Sequence, residues 1–160
     1  MIKINVDTAL NPSSFVIVVV ARDWRGELVF VCSKKVYTNL SLQAEAEAVK
    51  CAIKLSANLD FVAIFNENDS KVVVEALSKP EHEIPWRILN TGLYMSYLLS
   101  QYPSIHVSWV PRTSNGAAHS LVKWSLESWS YNVFGFFDIR CCPLCFESII
   151  RVEARNYTSL

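Results

Sequence analysis

The chain has 160 residues, fifteen basic and fifteen acidic side chains, and 51% apolar residues. That length suits one domain with a real core, and zero net charge gives no sign of a partner in nucleic acid or membrane and weighs against tight binding of a polyanion. The longest apolar run, Phe15-Val16-Ile17-Val18-Val19-Val20-Ala21, falls far short of the roughly 20 residues a membrane helix needs. No basic, apolar, small-residue leader pattern opens the chain, so the expected setting is intracellular, cytoplasmic or nuclear, in a reducing compartment.

In chain order, Lys3-Ile4-Asn5-Val6-Asp7 alternates and predicts a first strand over residues 2–7 that ends at Asp7. Residues 15–22 form a continuous β-branched run, and residues 27–32 form another after the turn Asp23-Trp24-Arg25-Gly26. Three consecutive strands with a tight second turn imply an antiparallel meander. From Ser41 to Leu59 the spacing turns helical, with Leu42, Val49, Ala52, Ile53 and Ser56 on one stripe and Ser41 as N-cap. Glu45 falls on that stripe, whereas Glu47 lies about 200° round the helix and is expected in solvent.

A fourth strand is predicted at 61–66, helices at Ser70 to Leu77 and Pro85 to Gln101, a fifth strand at Ile105 to Val110, and a last helix at Asn115 to Trp129. Strands alternating with helices require parallel crossovers, so the fold class is α/β with a mixed five-stranded sheet. Residues 1–130 form the domain. Residues 131–160, aromatic and cysteine-containing, are expected to pack on it, with Trp129 to Phe137 as an alternative surface for a protein partner or self-association. Five cysteines, an odd number, fit reduced thiols. Cys142-Pro143-Leu144-Cys145 has the gap of a zinc half-site, but no second ligand pair lies nearby, which favours chance spacing.

Function must account for the carboxylates. Asp7 ends a strand, Asp69 follows an apolar run and opens a helix, and Glu45 sits on an apolar helix face. Such groups are costly unless something positive meets them, which points to hard metal ions. Simpler readings stand beside this one. Asp7 suits a turn, Asp69 an N-cap, and Asn115 a cap of the last helix; His119 suits a cap or packing beside Trp109; Arg112 and Lys123 suit solvent as well as phosphate.

The order of elements and the motifs on them resemble the type-1 ribonuclease H family. Lys3-Ile4-Asn5-Val6-Asp7 is similar to its first strand and first aspartate, and Ala21-Arg22-Asp23-Trp24-Arg25-Gly26 to its turn between strands two and three. Ala44-Glu45-Ala46-Glu47-Ala48 is similar to its Ala-Glu helix and Asn68-Asp69-Ser70 to its second aspartate. Trp109-Val110-Pro111-Arg112-Thr113-Ser114-Asn115-Gly116-Ala117-Ala118-His119-Ser120-Leu121 resembles the closing motif of ribonuclease H-like domains that plants carry from non-LTR retroelements. The resemblance covers about residues 1–130 and implies helices on both faces of the sheet.

It also implies two Mg²⁺ or Mn²⁺ ions, with Asp7 bridging, Glu45 and Asp69 holding one each, and the residue at 119 tuning the second. Arg112 and Asn115 would then touch nucleic acid. Three departures qualify this picture. Thr8-Ala9-Leu10-Asn11-Pro12 stands where the family has glycines, His119 replaces the last carboxylate, and Lys79 to Ser104 carries only Lys79 and Arg87 as permanent cations. Two functions follow. One is metal-dependent endonucleolytic hydrolysis of RNA in RNA/DNA hybrids, with weak nucleic-acid binding; the other is a catalytically degenerate module of the same fold that binds nucleic acid or a protein partner.

Overall fold

The computed structural model describes residues 1–58, 62–128 and 135–137. Strand β2 (Ser14–Asp23) is buried along almost its whole length because both of its faces are covered. Val16, Val18 and Val20 pack under helix α4 (Gly116–Ser128) with Ala117, Ala118, Leu121 and Val122. Ile17, Val19 and Ala21 face helix α1 (Ser41–Ala57) with Val49, Ala52 and Ile53. A strand between two covers has no polar side to show, which is why its sequence does not alternate.

Around β2 the sheet grows in both directions. β1 (Ile2–Asn11) and β3 (Leu28–Val36) flank it antiparallel. β4 (Ile64–Asn68) joins β1 in parallel, and β5 (Ile105–Trp109) joins β4 in parallel. The order is β5-β4-β1-β2-β3-β6, where β6 (Gly135–Phe137) is a short antiparallel addition at the β3 edge. The five expected strands are present and mixed as expected; the sixth is too short to leave a periodic signal. Helices α2 (Lys71–Ala76) and α3 (Leu89–Gln101) follow β4, and α3 lies against α1. No helix among the described residues is long and apolar enough to cross a membrane.

Several local expectations change. β1 does not stop at Asp7 but runs on through Thr8, Ala9 and Leu10 to Asn11, which faces Ser14 across the two-residue turn Pro12-Ser13. The ladder to β2 supplies backbone partners that a glycine-rich loop would lack, so Asp7 lies in mid-strand. Ser41 is the first helical residue rather than the N-cap; Leu40 holds the cap position without a side-chain bond. Thr38 organises that approach instead, accepting from the Leu40 N–H (3.2 Å) and donating to Gln43 Oε1 (2.6 Å). Glu47 is not simply solvated: it pairs with Lys50 and accepts from Thr91 Oγ1 of α3 (3.4 Å). The helix expected from Pro85 opens as a 3-10 turn, Trp86–Ile88, before α3 begins. In the β2–β3 turn Gly26 has φ 82°, a conformation that suits glycine. The C-terminal segment, including Cys142, Cys145 and most of Trp129 to Phe137, lies outside the described residues.

Ile53 is fully buried between α1 and the sheet. Ile53→Ala should destabilise the domain by about 2–5 kcal/mol, read as a lower urea midpoint at an unchanged m-value. A loss near zero would mean that α1 is not seated on the sheet as described.

Candidate metal and nucleic-acid site

The site lies where two parallel strands part. β1 and β4 pair from Ile2↔Ile64 to Asn5↔Glu67, and β4 ends one residue later at Asn68. There the Asn68 side chain accepts from the Ser70 N–H (2.7 Å) and turns the chain, while Trp109 Nε1 donates to the Asp69 carbonyl (3.1 Å). β1 continues past this point. Asp7 therefore stands on one bank of the opening and Asp69 on the other, with α1 bringing Glu45 and α4 bringing His119.

Each anchoring bond is specific. Asp7 is 4% exposed; its Oδ1 accepts from the Thr8 N–H (2.8 Å), and its Oδ2 lies 3.0 Å from His119 Nδ1. Glu45 takes the Thr8 hydroxyl on Oε1 (2.6 Å) and the Asn68 amide on Oε2 (3.4 Å). Asn115 Nδ2 donates to the Val6 carbonyl (2.7 Å), and its own carbonyl accepts from the His119 N–H (3.0 Å). That pair of bonds ties the start of α4 to β1, so it sets where His119 meets Asp7. Asn115 Oδ1 is buried without a partner.

A polar strip lies next to Asp7 on the same side of the sheet. Arg22 donates to Asn5 Oδ1, Asn5 Nδ2 donates to Glu67 Oε2 (3.0 Å), and Lys3 pairs with that same oxygen (2.9 Å). Glu67 thereby engages Lys3. The charges acting on Asp7 are those of Asp69 and His119.

Protonation reflects this arrangement. Burial pushes the Asp7 carboxyl above its ordinary range; the Thr8 N–H and His119 pull it back, and Asp69 adds to the rise. Burial, followed by the charges of Asp7 and Asp69, pushes Glu45 up to about 7 against the bonds from Thr8 and Asn68. No cation acts on Glu45 among these causes.

Asp7, Glu45, Asp69 and His119 thus share one neighbourhood. Their side chains do not form a closed cage: among the described residues no three His, Cys, Asp or Glu groups stand together as metal ligands. Glu45 is turned to Thr8 and Asn68 instead. Arg112 is exposed on the 3-10 turn Arg112–Ser114 beside the site, and Lys123 is exposed on α4. Asn115, expected at nucleic acid, is 1% exposed and serves as a positioning residue. Thr8 and Asn68 were not singled out from sequence as functional. Thr8 carried one signal, a hydroxyl residue where the resembled family has glycine; Asn68 carried none beyond its place before Asp69.

The sequence profile of a family described as reverse transcriptase-like matches residues 5–125. A search among curated proteins finds no match. Among solved structures, ribonuclease H1 from the halophilic archaeon Halobacterium salinarum NRC-1 is similar at 20% identity and TM-score 0.67, covering 79% of this chain and 97% of its own. The N-terminal ribonuclease H domain of a Mycobacterium tuberculosis protein, solved as a maltose-binding-protein fusion, gives 20% and 0.66, covering 82% and 96%. LC11-RNase H1 in complex with an RNA/DNA hybrid gives 17% and 0.65, covering 79% and 97%. At these identities the likeness establishes the fold, which is ribonuclease H-like.

The upward shift at Glu45 has a definite sign in stability. Between the ordinary value of 4.5 and about 7, the folded chain holds a proton that the unfolded chain has released. Stability is therefore full below pH 4.5 and is lost as pH rises through 7, by about 3 kcal/mol from this group. Urea midpoints taken from pH 4.5 to 8 should fall more steeply for wild type than for Glu45→Gln. Parallel curves would mean that Glu45 is ionised without cost.

Proposed function

Because the chain belongs to the reverse transcriptase-like family, we propose that its site takes divalent metal and hydrolyses the RNA strand of RNA/DNA hybrids weakly. One observation carries this reading: buried carboxylates, Asp7 and Glu45, gather with Asp69 at the parting of β1 and β4, and burial, with nearby negative charge adding to it, raises the affinity of Asp7 and Glu45 for protons. Carboxylates that favour a proton because burial strips them of water suit a hard divalent ion, which prefers carboxylate oxygen. The orphaned Oδ1 of Asn115 adds an unspent acceptor nearby. A solved neighbour of the same fold holds an RNA/DNA hybrid, which supports the choice of substrate class.

Asp7, Glu45 and Asp69 would hold the metal. Hard divalent ions, when bound, supply charge stabilisation to the attacking and leaving oxygens of an in-line displacement. Glu45 would exchange its bonds from Thr8 and Asn68 for the ion. His119 orients the Asp7 carboxylate through Nδ1; with that nitrogen donating, the lone pair sits on Nε2, a neutral ligand in the family's carboxylate position. Losing one negative oxygen weakens Mg²⁺ more than Mn²⁺, so the preferred ion is Mn²⁺. Exposed Arg112 and Lys123 would supply phosphate contacts.

Hydrolysis of a labelled hybrid should be slow in Mg²⁺ and faster in Mn²⁺. Asp7→Asn should abolish it, and His119→Asp should raise the Mg²⁺ rate by about tenfold or more. Both ions should also raise Tm, more at pH 8 than at pH 5, because protons and metal compete for the same oxygens. Cleavage that survives Asp7→Asn would remove the site from the reaction. Absence of both cleavage and a metal-induced Tm shift would favour the rival reading, a degenerate binding module, to which the satisfied bonds of Glu45 lend support.

Hybrid binding should have a shallow salt dependence, with a log–log slope near about −2, corresponding to roughly two phosphate contacts. Zero net charge and few cations near the site motivate that value. A much steeper slope, measured by fluorescence anisotropy across a salt series, would reveal a basic face elsewhere.

A further inference from the structure

Successive side chains of a strand point to opposite faces of the sheet. On β1 the Asp7 side chain meets His119 of α4, and that of Thr8 beside it meets Glu45 of α1. Thr8 touches both carboxylates: its N–H donates to Asp7 Oδ1 (2.8 Å) and its hydroxyl to Glu45 Oε1 (2.6 Å). The second bond has the short length of a hydroxyl on a charged acceptor. The Asn68 amide, 3.4 Å from Glu45 Oε2, stands beyond the usual N–H···O distance, so Thr8 carries the hold on Glu45.

Its place in the strand makes that hold firm. Thr8 pairs with Ile17 in the β1–β2 ladder, and a β-branched side chain has little rotamer freedom, so the hydroxyl stands at a fixed point. Glu45 is the adaptable member, reaching from α1 on a long side chain. Its carboxylate is committed to this contact between elements, and among the described residues no three His, Cys, Asp or Glu groups stand together as ligands.

On the reading that this site takes divalent metal, we propose that Thr8 is a positioning residue that withholds Glu45 from the ion, so that the Thr8 hydroxyl sets the metal concentration at which the site fills. Recruiting Glu45 breaks a hydrogen bond to a charged group, which weakens metal binding by about tenfold. The coupling is reciprocal. The bond stabilises the metal-free chain and is given up on loading, so its removal should destabilise the empty site and leave the loaded one unchanged.

The experiment compares the full wild-type chain with Thr8→Val, which keeps the backbone N–H and the branched shape but loses the hydroxyl, and with Thr8→Ser, which retains the hydroxyl. Titration calorimetry with Mn²⁺ at one fixed pH should give a Kd about tenfold lower for Thr8→Val, with Thr8→Ser near wild type. Without metal, Tm should fall in Thr8→Val; saturating Mn²⁺ should close the gap. An equal fall in Tm with and without Mn²⁺ would mark Thr8 as merely structural and overturn the proposal. So would an unchanged or higher Kd in Thr8→Val while wild type binds, an outcome that leaves the metal site itself standing. Failure of all three proteins to bind Mn²⁺ would remove the site, and the role of Thr8 with it. If Thr8→Val does not fold, wild type decides by proton NMR: the Thr8 hydroxyl, held from exchange by its bond, should give a resonance that saturating Mg²⁺ abolishes. Its absence before metal, or its persistence at saturation, would overturn the proposal.

Discussion

Strand β1 is paired on both edges only as far as Asn5; from there β4 turns away and one edge is open. A carboxylate placed at that opening and buried from solvent carries a desolvation penalty that water cannot relieve. Asp7 is in that position, and the surrounding structure meets its oxygens one by one: the Thr8 N–H from the same strand, and the His119 imidazole from α4. α4 is itself held in register by Asn115 on the Val6 carbonyl. The helix that covers one face of the sheet is thus fastened one residue from the group it serves.

The other bank obeys the same constraint. Asn68 ends β4, turns the chain into Asp69 with its carbonyl oxygen, and holds Glu45 with its amide nitrogen. One side chain therefore fixes both the end of a strand and the position of a carboxylate on a different element. The adjoining strip of Arg22, Asn5, Glu67 and Lys3 ties three strands together through two hydrogen bonds of Asn5 and one ion pair. That strip is built on the Lys3–Glu67 ion pair, whereas the charges acting on Asp7 are those of Asp69 and His119.

Much of the fold was legible because its period was plain. The alternating start of β1, the unbroken β-branched β2 and the stripe of α1 each announce an element and a buried face. The failures have a common cause in tertiary neighbours. Glu47 looked solvated because nothing in its helix reveals that α3 lies alongside with Thr91. The alternation in the sequence ends at Asp7, so the end of β1 is not legible there; the two-residue turn Pro12-Ser13 lets the ladder continue to Asn11. Asp7, Glu45, Asp69 and His119 were legible as a set from motif order; their partners Thr8 and Asn68 were not, since hydrogen bonds between elements leave no spacing to read.

The continuing hairpin alters how the opening would receive a guest. Backbone flanking Asp7 is already committed to cross-strand bonds with β2 down to Asn11 and Ser14, so little chain entropy remains to be lost when something binds beside it. A glycine loop would have to be ordered at that moment but could mould itself to a contour. This ribbon does the opposite: it presents a fixed wall, tipped by an exposed Leu10, and any adaptation of shape falls to the guest.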